Sequence, residues 1–496
     1  MSAVRRTRIV CTIGPSSASP SMLRSLVLAG MDVARLNFSH GDHDTHRQVA
    51  ANVREAAEAA GRPVALLGDL QGPKIRTGQL ASTFQRLVRG RRVVIVAQPG
   101  ADLPNRRHSP SLSPAGGDPE AGTTASGDGE VIEVSHHELV DALEVGDRVL
   151  LDDGRIELVV RGTAPGRAEC SIVRGGLLGE RKGVSVPGRT IPLPALTAKD
   201  VEDLKLAAEL DVDYLALSFV RRPEDLLACQ QHLGSLGCKA PVIAKLEKLE
   251  AIRNLSKILE VADAVMVARG DLGVELKLGD VPAVQKDVID RANRAGVPVI
   301  TATEMLESMV TSNRPTRAEA SDVANAIWDG TDAVMLSQET SVGAHPLEAV
   351  RAMARICLSA QRHPAYERAR QIWREPGQVG SAIAHAAATT ADEIGARVII
   401  AFTESGTTAL RCSKARPRMP VVAASPHPAV LRRTALYSGV IPLLVSPGRD
   451  TDEMISNATA AASESGLVRP GDRVVIVAGV PMGRPGQTNL LKVETV

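Results

Sequence analysis

Eight short apolar runs, most of them separated by helical patterns, constrain the fold of this 496-residue chain most strongly. Each run is typical of a buried strand, and nearly every one ends on a polar or charged side chain. The runs are Thr7–Ile13, Asp32–Asn37, Val64–Leu70, Asp213–Val220, Pro241–Glu247, Ala264–Asp271, Pro298–Thr303 and Asp332–Ser337. Strands that alternate with helices favour right-handed crossovers and a parallel sheet. We therefore predict an α/β fold built on a (β/α)8 TIM barrel, whose chemistry lies at the carboxyl ends of the strands.

Two interruptions of this alternation predict two further domains. Between residues 70 and 213, five β-like runs and the hairpin signal Asp152-Asp153-Gly154 indicate a small all-β domain inserted in a barrel loop. After a helix expected at 346–362, a stretch containing Pro and Gly up to residue 380 leads into a new alternation of helices and strands. The predicted domains are 1–72 and 183–346 (barrel), 73–182 (insertion) and 347–496 (C-terminal α/β domain). Residues 98–129 are rich in Pro, Gly, Ser and Asp, and we expect a mobile or disordered loop there.

Composition and charge argue against several classes of protein. The 58 basic and 57 acidic residues give a net charge of +1, so no global field attracts nucleic acid or an anionic membrane. Aromatic residues, at 2%, offer few platforms for base stacking. None of the six cysteines forms a CxxC pair, no stretch approaches about 20 apolar residues, and the N-terminus lacks the apolar core of a signal peptide. We expect a cytoplasmic protein that binds neither nucleic acid nor a membrane.

Lys245, Glu247 and Asp271 form the strongest candidate site. Alternation along a strand points residues 245 and 247 to one face, and Asp271 ends the next predicted strand, about 4.8 Å away. Two carboxylates together with substrate oxygens and water commonly hold Mg²⁺, and a lysine beside the metal suits a transferring phosphoryl group. An ion pair that caps the barrel would use the same residues.

Further polar residues follow the predicted strands. Arginine suits bidentate capture of phosphate or carboxylate, which makes Arg35 a candidate anion ligand. Gly270 would let a ligand approach the backbone, and the Thr303 hydroxyl would order a water or contact a small carboxylate. Taken alone, a turn and a strand-end cap would account for both. The remaining candidates are Thr12, Asn37, Ser39, His40, Asp69, Lys74, Arg76, Lys182 and Ser218.

In the predicted C-terminal domain, a hydroxyl-rich turn follows a strand and precedes a helix. Hydroxyl and free N–H groups at the start of a helix can bind an anion, and ordinary helix capping produces the same pattern. The turn consists of Thr403, Glu404, Ser405, Gly406, Thr407 and Thr408.

Six longer strings resemble the pyruvate kinase family, in the same order along nearly the whole chain. They are VCTIGPSS, VARLNFSHG, GDLQGPKIRTG, AKLEKLEAI, VARGDLGVE and SNRPTRAEASDVANAIWDGTDAVMLSQET. The resemblance implies phosphoryl transfer from phosphoenolpyruvate to ADP, giving pyruvate and ATP. It also implies a homotetramer whose chains have a barrel, a small β-barrel lid and a C-terminal α/β domain, with a possible phosphorylated effector at the turn 403–408.

The resemblance also implies roles for single residues. Lys245 would stabilise the phosphoryl transition state, while Glu247 and Asp271 would hold Mg²⁺ or, alternatively, Mn²⁺. The expected substrate contacts are Arg35 on the phosphate, the Gly270 and Asp271 backbone with Thr303 on the carboxylate, and Ser218 nearby. Thr303 would also lie near the enolate protonation step. The implied nucleotide-side positions are Thr12, Asn37, His40, Arg76 and Lys182.

The chain departs from the family at its monovalent-cation site. Many members bind K⁺ with Asn, Ser, Asp and Thr, near a Glu, and the matching positions here are Asn37, Ser39, Asp69, Leu70 and, for the Glu, Lys74. Leucine removes an oxygen ligand, and two cations in one low-dielectric pocket would repel by about several kcal/mol. We therefore expect Lys74 to replace the ion, so that K⁺ is not required.

Three other positions differ from the family. Glu304 stands where Gln is common, and its negative charge would raise the apparent KM for an anionic substrate. Gln338 stands where a small residue is usual. Thr407 stands where many members regulated by sugar phosphates have a basic residue, which leaves the identity of the effector open.

Two rival functions use the same scaffold. A barrel aldolase or lyase would form a Schiff base on Lys245, which needs a lysine of lowered pKa, whereas Glu247 and Asp271 keep it charged. A non-catalytic sensor of phosphorylated metabolites would not need the set of Lys245, Glu247, Asp271 and Thr303 to be intact.

Overall fold

Eight parallel strands close into a barrel in the computed structural model, which describes residues 4–79, 84–97, 130–369, 378–481 and 487–496. The strands pair in chain order and the last pairs with the first, which confirms the predicted fold. They are almost entirely buried, because helices cover the outside of a parallel barrel. They span Arg8–Thr12, Val33–Asn37, Ala65–Asp69, Tyr214–Leu217, Val242–Leu246, Ala264–Ala268, Val299–Ala302 and Ala333–Leu336.

Helices follow the barrel strands, and several of them begin at side-chain caps. The Asp42 carboxylate accepts a hydrogen bond from the Thr45 N–H at 2.7 Å, and Thr197 and Asp200 form a complete capping box. The α-helices of this part of the chain are Pro20–Ala29, His43–Ala59, Ala198–Glu209, Pro223–Ser235, Leu249–Arg253, Leu255–Val261, Arg269–Glu275, Val281–Arg294, Arg317–Asp329, Gln338–Ser341, Pro346–Arg362 and Pro364–Ala369. Leu278–Asp280 and Glu307–Val310 are 3₁₀ turns.

Every second barrel strand is preceded by an aspartate that caps the strand before it. The N–H group of the first or second residue of each odd-numbered strand donates to one of these carboxylates at 2.8–2.9 Å. The donor and acceptor pairs are Ile9 and Asp32, Leu66 and Asp213, Val242 and Asp263, and Val299 and Asp332. The amino end of the barrel is therefore closed by four equivalent contacts, a regularity that the eight runs alone do not indicate.

The chain divides into two compact units. The first comprises Met1–Gly72, Ala195–Leu272 and Gly279–Val496, and the second comprises Pro73–Pro194 and Gly273–Leu278. The domain boundaries drawn from the sequence stay a prediction. The loop expected at 98–129 lies outside the described residues.

In the second unit, the described strands form a six-stranded and a two-stranded sheet. The strands are Phe84–Leu87, Arg92–Ala97, Glu130–Val134, Arg148–Leu151, Ile156–Ala164, Arg167–Arg174, Gly176–Gly179 and Val184–Ser185, with one helix at His137–Ala142. Asp152 and Asp153 adopt positive φ angles in the turn predicted between two of these strands. Closure of this unit into a small barrel stays a prediction.

The C-terminal part of the first unit is built on a five-stranded sheet whose last strand is antiparallel. Its strands are Val398–Phe402, Val421–Ser425, Val440–Leu444, Arg473–Ala478 and Leu490–Thr495. Its helices are Val379–Ile394, Thr407–Lys414, Pro428–Thr434 and Thr451–Glu464, and the last of these was not predicted.

A buried charge cluster joins this part to the amino end of the barrel. Lys414 Nζ lies 2.7 Å from Asp332 Oδ2, and Arg416 Nη2 lies 3.0 Å from Asp332 Oδ1. Both cations also donate to Asn293 Oδ1, and all four side chains are buried. The cluster therefore holds two cations against one carboxylate.

Candidate active site

Lys245 lies at the centre of a polar cluster at the carboxyl end of the barrel. It is the fourth residue of the strand Val242–Leu246, and its ammonium lies 2.9 Å from Glu247 Oε1 and 3.3 Å from Asp69 Oδ1. It also donates to Ser218 Oγ at 2.7 Å. The side chain is 12% exposed, so these contacts hold the ammonium in a fixed, largely desolvated position. Lys245, Glu247 and Ser218 thus meet as the strand ends predicted.

Arg35 joins the cluster from the second strand. Its Nε lies 2.6 Å from Asp69 Oδ2, and its Nη1 donates to Thr12 Oγ1 at 2.9 Å. The Thr12 hydroxyl in turn donates to the Leu336 carbonyl. Four neighbouring strand ends are therefore connected, and two cations face one region at the mouth of the barrel.

The charges of the cluster shift the pKa values of its members. Burial acts to lower the pKa of Lys245, but Asp69 and Glu247 outweigh it and raise that pKa. Burial raises the pKa of Glu247, the nearby charge of Asp271 raises it further, and Lys245 acts in the opposite direction. Burial also opposes ionisation of Asp69, but Lys245 and Arg35 outweigh it and lower its pKa. The lysine is therefore held charged.

Asp271 does not end a strand, which corrects the sequence prediction. The sixth strand stops at Ala268, and a short helix, Arg269–Glu275, carries Gly270 and Asp271. The helix follows the strand with no connecting residue between them, so the run alone did not show where the strand ends. Asp271 is nevertheless close enough to Glu247 for its charge to raise the pKa of that group.

Thr303 follows the seventh strand in an uncommon backbone conformation. Its φ is +64° and that of Glu304 is +54°, in the left-handed region that β-branched residues rarely adopt. The Thr303 hydroxyl accepts the Gly270 N–H at 2.8 Å and donates to the Ala302 carbonyl at 2.6 Å. The structure therefore brings Gly270 and Thr303 together.

The residues after the second strand form a tight turn. Asn37 Oδ1 accepts the Ser39 N–H at 3.2 Å, and the His40 N–H donates to the Asn37 carbonyl. His46 Nε2 donates to the His40 carbonyl at 2.9 Å, which fastens the turn to the next helix. Asn37 and Ser39 are half-buried and His40 is exposed.

The positions Asp69, Leu70 and Lys74, which match the family's cation site, differ from one another in their contacts. Asp69 already faces the two cations Arg35 and Lys245. Leu70 is buried, and its carbonyl accepts the Ser218 hydroxyl at 2.7 Å. Lys74 lies in the second unit.

Arg76 and Lys182 also lie in the second unit, on two neighbouring segments. Arg76 bridges to Gly183, and its Nη1 donates to the Arg181 carbonyl at 3.1 Å. Lys182 Nζ lies 2.9 Å from Asp152 Oδ1. These two nucleotide-side candidates are therefore brought close to each other.

The hydroxyl-rich turn is internally bonded at the start of the helix Thr407–Lys414. Thr403 Oγ1 accepts the Gly406 N–H at 2.9 Å, and the hydroxyls of Ser405 and Thr407 lie 3.0 Å apart. Gly406 has a φ of +94°, which glycine adopts without strain. Thr408 Oγ1 lies 3.1 Å from Thr488 Oγ1. The helix begins after Gly406 without a side-chain cap hydrogen bond, and the anion site stays a prediction.

Two buried charged residues around Thr303 were not assigned a role from the sequence. Arg269, which lies within the predicted run Ala264–Asp271, donates to the carbonyls of Thr303 and Glu304. Glu339 accepts the N–H groups of Leu306 at 3.0 Å and Ser337 at 2.7 Å. The one sequence signal for both is a charged residue soon after a buried strand, since Arg269 follows Ala268 directly and Glu339 lies three residues after Leu336. Of the departures from the family, Glu304 and Gln338 are both exposed.

The carboxylates Glu247 and Asp271 fit a divalent cation that takes its other ligands from substrate and water. Within the described ranges, no three His, Cys, Asp or Glu side chains are placed to hold a metal together. Burial and, to a smaller extent, the nearby charge of Asp271 raise the pKa of Glu247, and a hard dication such as Mg²⁺ bound by the two carboxylates would offset both effects.

A closed (β/α)8 barrel with a fixed lysine, an arginine and paired carboxylates at its carboxyl end defines a barrel enzyme that handles anionic substrates. Residues 4–103 and 118–350 match the pyruvate kinase barrel domain, and residues 381–494 match the pyruvate kinase alpha/beta domain. The chain therefore belongs to the pyruvate kinase family of phosphotransferases, as the resemblance implied.

Individual relatives match along nearly the whole chain. A pyruvate kinase of Mycobacterium tuberculosis (strain ATCC 25618 / H37Rv) is 43% identical over 492 residues, which cover 99% of this chain and 98% of that protein. A pyruvate kinase of Staphylococcus haemolyticus (strain JCSC1435) is 42% identical over 499 residues, covering 99% of this chain and 81% of that protein. Among the helices that the structure describes, none has the length and apolar character that crossing a membrane requires.

Proposed function

We propose that this chain transfers the phosphoryl group of phosphoenolpyruvate to ADP, giving pyruvate and ATP in the last step of glycolysis. The bond from phosphorus to the enol oxygen breaks, and a bond to the terminal oxygen of ADP forms. The enolate then takes a proton at its methylene carbon to become pyruvate. The observation that carries the proposal is the ammonium of Lys245, held by Asp69, Glu247 and Ser218 at the mouth of the barrel.

Lys245 and Arg35 supply the positive charge that phosphoryl transfer needs. Both are held in place by Asp69, so little reorganisation is needed when the phosphoryl group carries its charge from one oxygen to the other. Glu247 and Asp271 would hold Mg²⁺, with Mn²⁺ as an alternative. The bound ion would neutralise charge on the phosphate oxygens.

Thr303 and the Gly270 backbone are proposed to receive the substrate carboxylate. The Gly270 N–H donates to Thr303 Oγ1 at 2.8 Å and the Thr303 hydroxyl donates to the Ala302 carbonyl, so the carboxylate would take the place of these acceptors. The hydroxyl of Thr303 is also proposed to act at the protonation step. On the nucleotide side we propose the positions Thr12, Asn37, His40, Arg76 and Lys182.

A Schiff-base mechanism on Lys245 is disfavoured. Such a lysine must be neutral to attack a carbonyl group, which calls for a lowered pKa. The carboxylates of Asp69 and Glu247 raise the pKa of Lys245 instead.

We further propose that the enzyme does not need K⁺. Leu70 offers no side-chain oxygen at one of the family's ligand positions, and Asp69 already faces Arg35 and Lys245. The proposal that Lys74 substitutes for the ion comes from its place in the family pattern.

The assembly and the setting of the enzyme are proposals from the family resemblance. We propose a homotetramer, a cytoplasmic location and three domains with the boundaries 1–72 with 183–346, 73–182 and 347–496. A phosphorylated effector is proposed at the turn of Thr403, Ser405, Gly406, Thr407 and Thr408.

The test is an assay of pyruvate formation from phosphoenolpyruvate, ADP and Mg²⁺. Lys245→Met should lower kcat by about 10²–10³-fold, because a preorganised positive charge is lost from the transition state. Lys257→Met, which changes an exposed lysine on the helix Leu255–Val261, is the matched control and should keep full activity. Retained turnover in Lys245→Met would refute the assigned role, and absence of turnover in the unmodified protein would refute the function.

A further inference from the structure

The guanidinium of Arg269 is bonded to three successive backbone carbonyls at the end of the seventh barrel strand, those of Ala302, Thr303 and Glu304. Its Nη2 donates to the Thr303 carbonyl at 2.7 Å and to the Glu304 carbonyl at 3.1 Å. Its Nε lies 3.2 Å from the Thr303 carbonyl and 3.3 Å from that of Ala302. One buried side chain therefore fixes the direction of every peptide group around Thr303.

The far side of the same guanidinium is anchored as well. Its Nη1 donates to Asp322 Oδ2 at 2.7 Å and to Gln285 Oε1 at 3.3 Å. Arg269 as a whole is 8% exposed. All three of its nitrogens are thus engaged, and the planar group cannot turn without breaking several bonds at once.

The backbone that Arg269 holds is one that the chain would not adopt unaided. Thr303 and Glu304 both have positive φ. Each residue in such a conformation costs about 1–3 kcal/mol, which contacts with the surrounding structure must offset. Threonine is branched at Cβ and therefore suits this region poorly. The carbonyl bonds to Arg269 are the contacts that offset this cost on the side of the sixth strand.

Arg269 also stands directly before Gly270, whose N–H donates to the Thr303 hydroxyl. Two sets of hydrogen bonds therefore join the end of the sixth strand to the end of the seventh, one from the Arg269 side chain and one from the Gly270 backbone. The two sets act on the backbone and on the hydroxyl of the same residue, so together they fix where Thr303 Oγ1 lies.

We propose that Arg269 is a positioning residue that holds Thr303 in its active conformation, and this rests on the proposed function, in which Thr303 acts on the substrate. When the guanidinium is absent, the Thr303–Glu304 pair relaxes towards a common backbone region and the hydroxyl moves away from its place. A displacement of about 1 Å in a positioned group can cost about 10²-fold in rate. The loss falls on the steps that use Thr303 and not on the binding of ADP.

Arg8 offers a matched control elsewhere in the barrel. It is also a buried arginine that donates to backbone carbonyls, those of Tyr437 and Val440, and it faces one aspartate, Asp32. It lies at the amino end of the barrel, away from the cluster around Lys245. Arg8→Met therefore removes a similar set of bonds and reports what such a loss does to stability alone.

The experiment compares Arg269→Met, Arg269→Lys and Arg8→Met in the full-length enzyme. The readouts are kcat, the KM values of phosphoenolpyruvate and ADP, the melting temperature, and the exchange of pyruvate methyl protons with D₂O followed by NMR. Arg269→Met should lower kcat and methyl exchange by about 10²-fold, with the KM for ADP within twofold of the parent. Arg269→Lys, which can bond at most part of the set, should lie between. Arg8→Met should lower the melting temperature and leave kcat and exchange unchanged.

A double-mutant comparison tests whether Arg269 acts through Thr303. In the Thr303→Ala background, Arg269→Met should lower kcat by less than twofold further, because coupled residues are not additive. Full additivity would overturn the proposal, and so would parental kcat and exchange in folded Arg269→Met. If Arg269→Met does not fold, parental kcat in Arg269→Lys overturns it. A parent enzyme that forms no pyruvate would refute the proposed function instead.

Discussion

The buried cluster around Asp332 should make this enzyme more stable as the pH rises into the alkaline range. Lys414 and Arg416 face one carboxylate, that of Asp332, so the fully ionised cluster has a net charge of about +1. Removing the proton from Lys414 leaves a neutral pair of Arg416 and Asp332. Burial and, against the pull of Asp332, the neighbouring Arg416 lower the pKa of Lys414 to about 8, from an ordinary value of 10.5.

The sign of the effect follows from where the proton is bound. Between pH 8 and 10.5, the folded protein has released the Lys414 proton while the unfolded chain still holds it. Stability rises with pH wherever the unfolded state binds more protons. The stabilising contribution is complete above pH 10.5 and is lost as the pH falls through 8. From pH 7 to pH 9.5 it amounts to about 2 kcal/mol.

The assay is the melting temperature of the parent and of Lys414→Met, measured from pH 7 to pH 9.5. Other groups titrate equally in both proteins, so the difference isolates Lys414. The parent should gain on the variant by an amount on the order of a few °C across this range. Lys257→Met, at an exposed position, should show a constant difference from the parent. A flat difference for Lys414→Met would refute the reasoning, because Lys414 would then keep its proton throughout.

Two further outcomes follow from other contacts. Asp32→Asn should destabilise the fold by about 3–5 kcal/mol at pH 7, because it leaves the guanidinium groups of Arg5 and Arg8 facing a neutral side chain. Asp263→Asn should cost less than about 1 kcal/mol, because burial already raises the pKa of that carboxyl and asparagine keeps a hydrogen-bond acceptor. Equal losses of stability in the two variants, measured by thermal or urea unfolding, would contradict this. The parent should form pyruvate at the same rate with and without K⁺ in Na⁺-free buffer, and the Leu70→Thr/Lys74→Glu variant should need K⁺. A large activation of the parent by K⁺ would disprove the proposed replacement of the ion.

The barrel could be predicted from the sequence because buried parallel strands are nearly continuous apolar runs. The polar residues that end these runs then had to meet at one edge, which is why Lys245, Glu247 and Arg35 could be placed in one cluster. The error at Asp271 arose because the sixth strand passes directly into a helix, so the polar residues that begin the helix were taken for the end of the strand.

The conformation of Thr303 could not be predicted. Local preference places threonine in extended backbone, and its positive φ depends on contacts with residues more than thirty positions away. The hydrogen bonds of Arg269 to the Thr303 and Glu304 carbonyls, and those that Glu339 accepts, likewise could not be predicted, because they form only when the strand ends are adjacent in the fold. The helix Thr451–Glu464 was missed although Asp450 caps it, because alanine and serine give its pattern little amphipathic contrast.

The aspartates at the amino end of the barrel have a consequence for how the chain can vary. The bond from the Leu66 N–H to Asp213 joins residues 147 positions apart, on either side of the inserted segment. This hydrogen bond, like the backbone pairing of the third and fourth strands, is made entirely by barrel residues. Closure of the ring therefore does not depend on the length of what is spliced between these strands. An insertion could be shortened or exchanged there while the catalytic mouth kept its geometry.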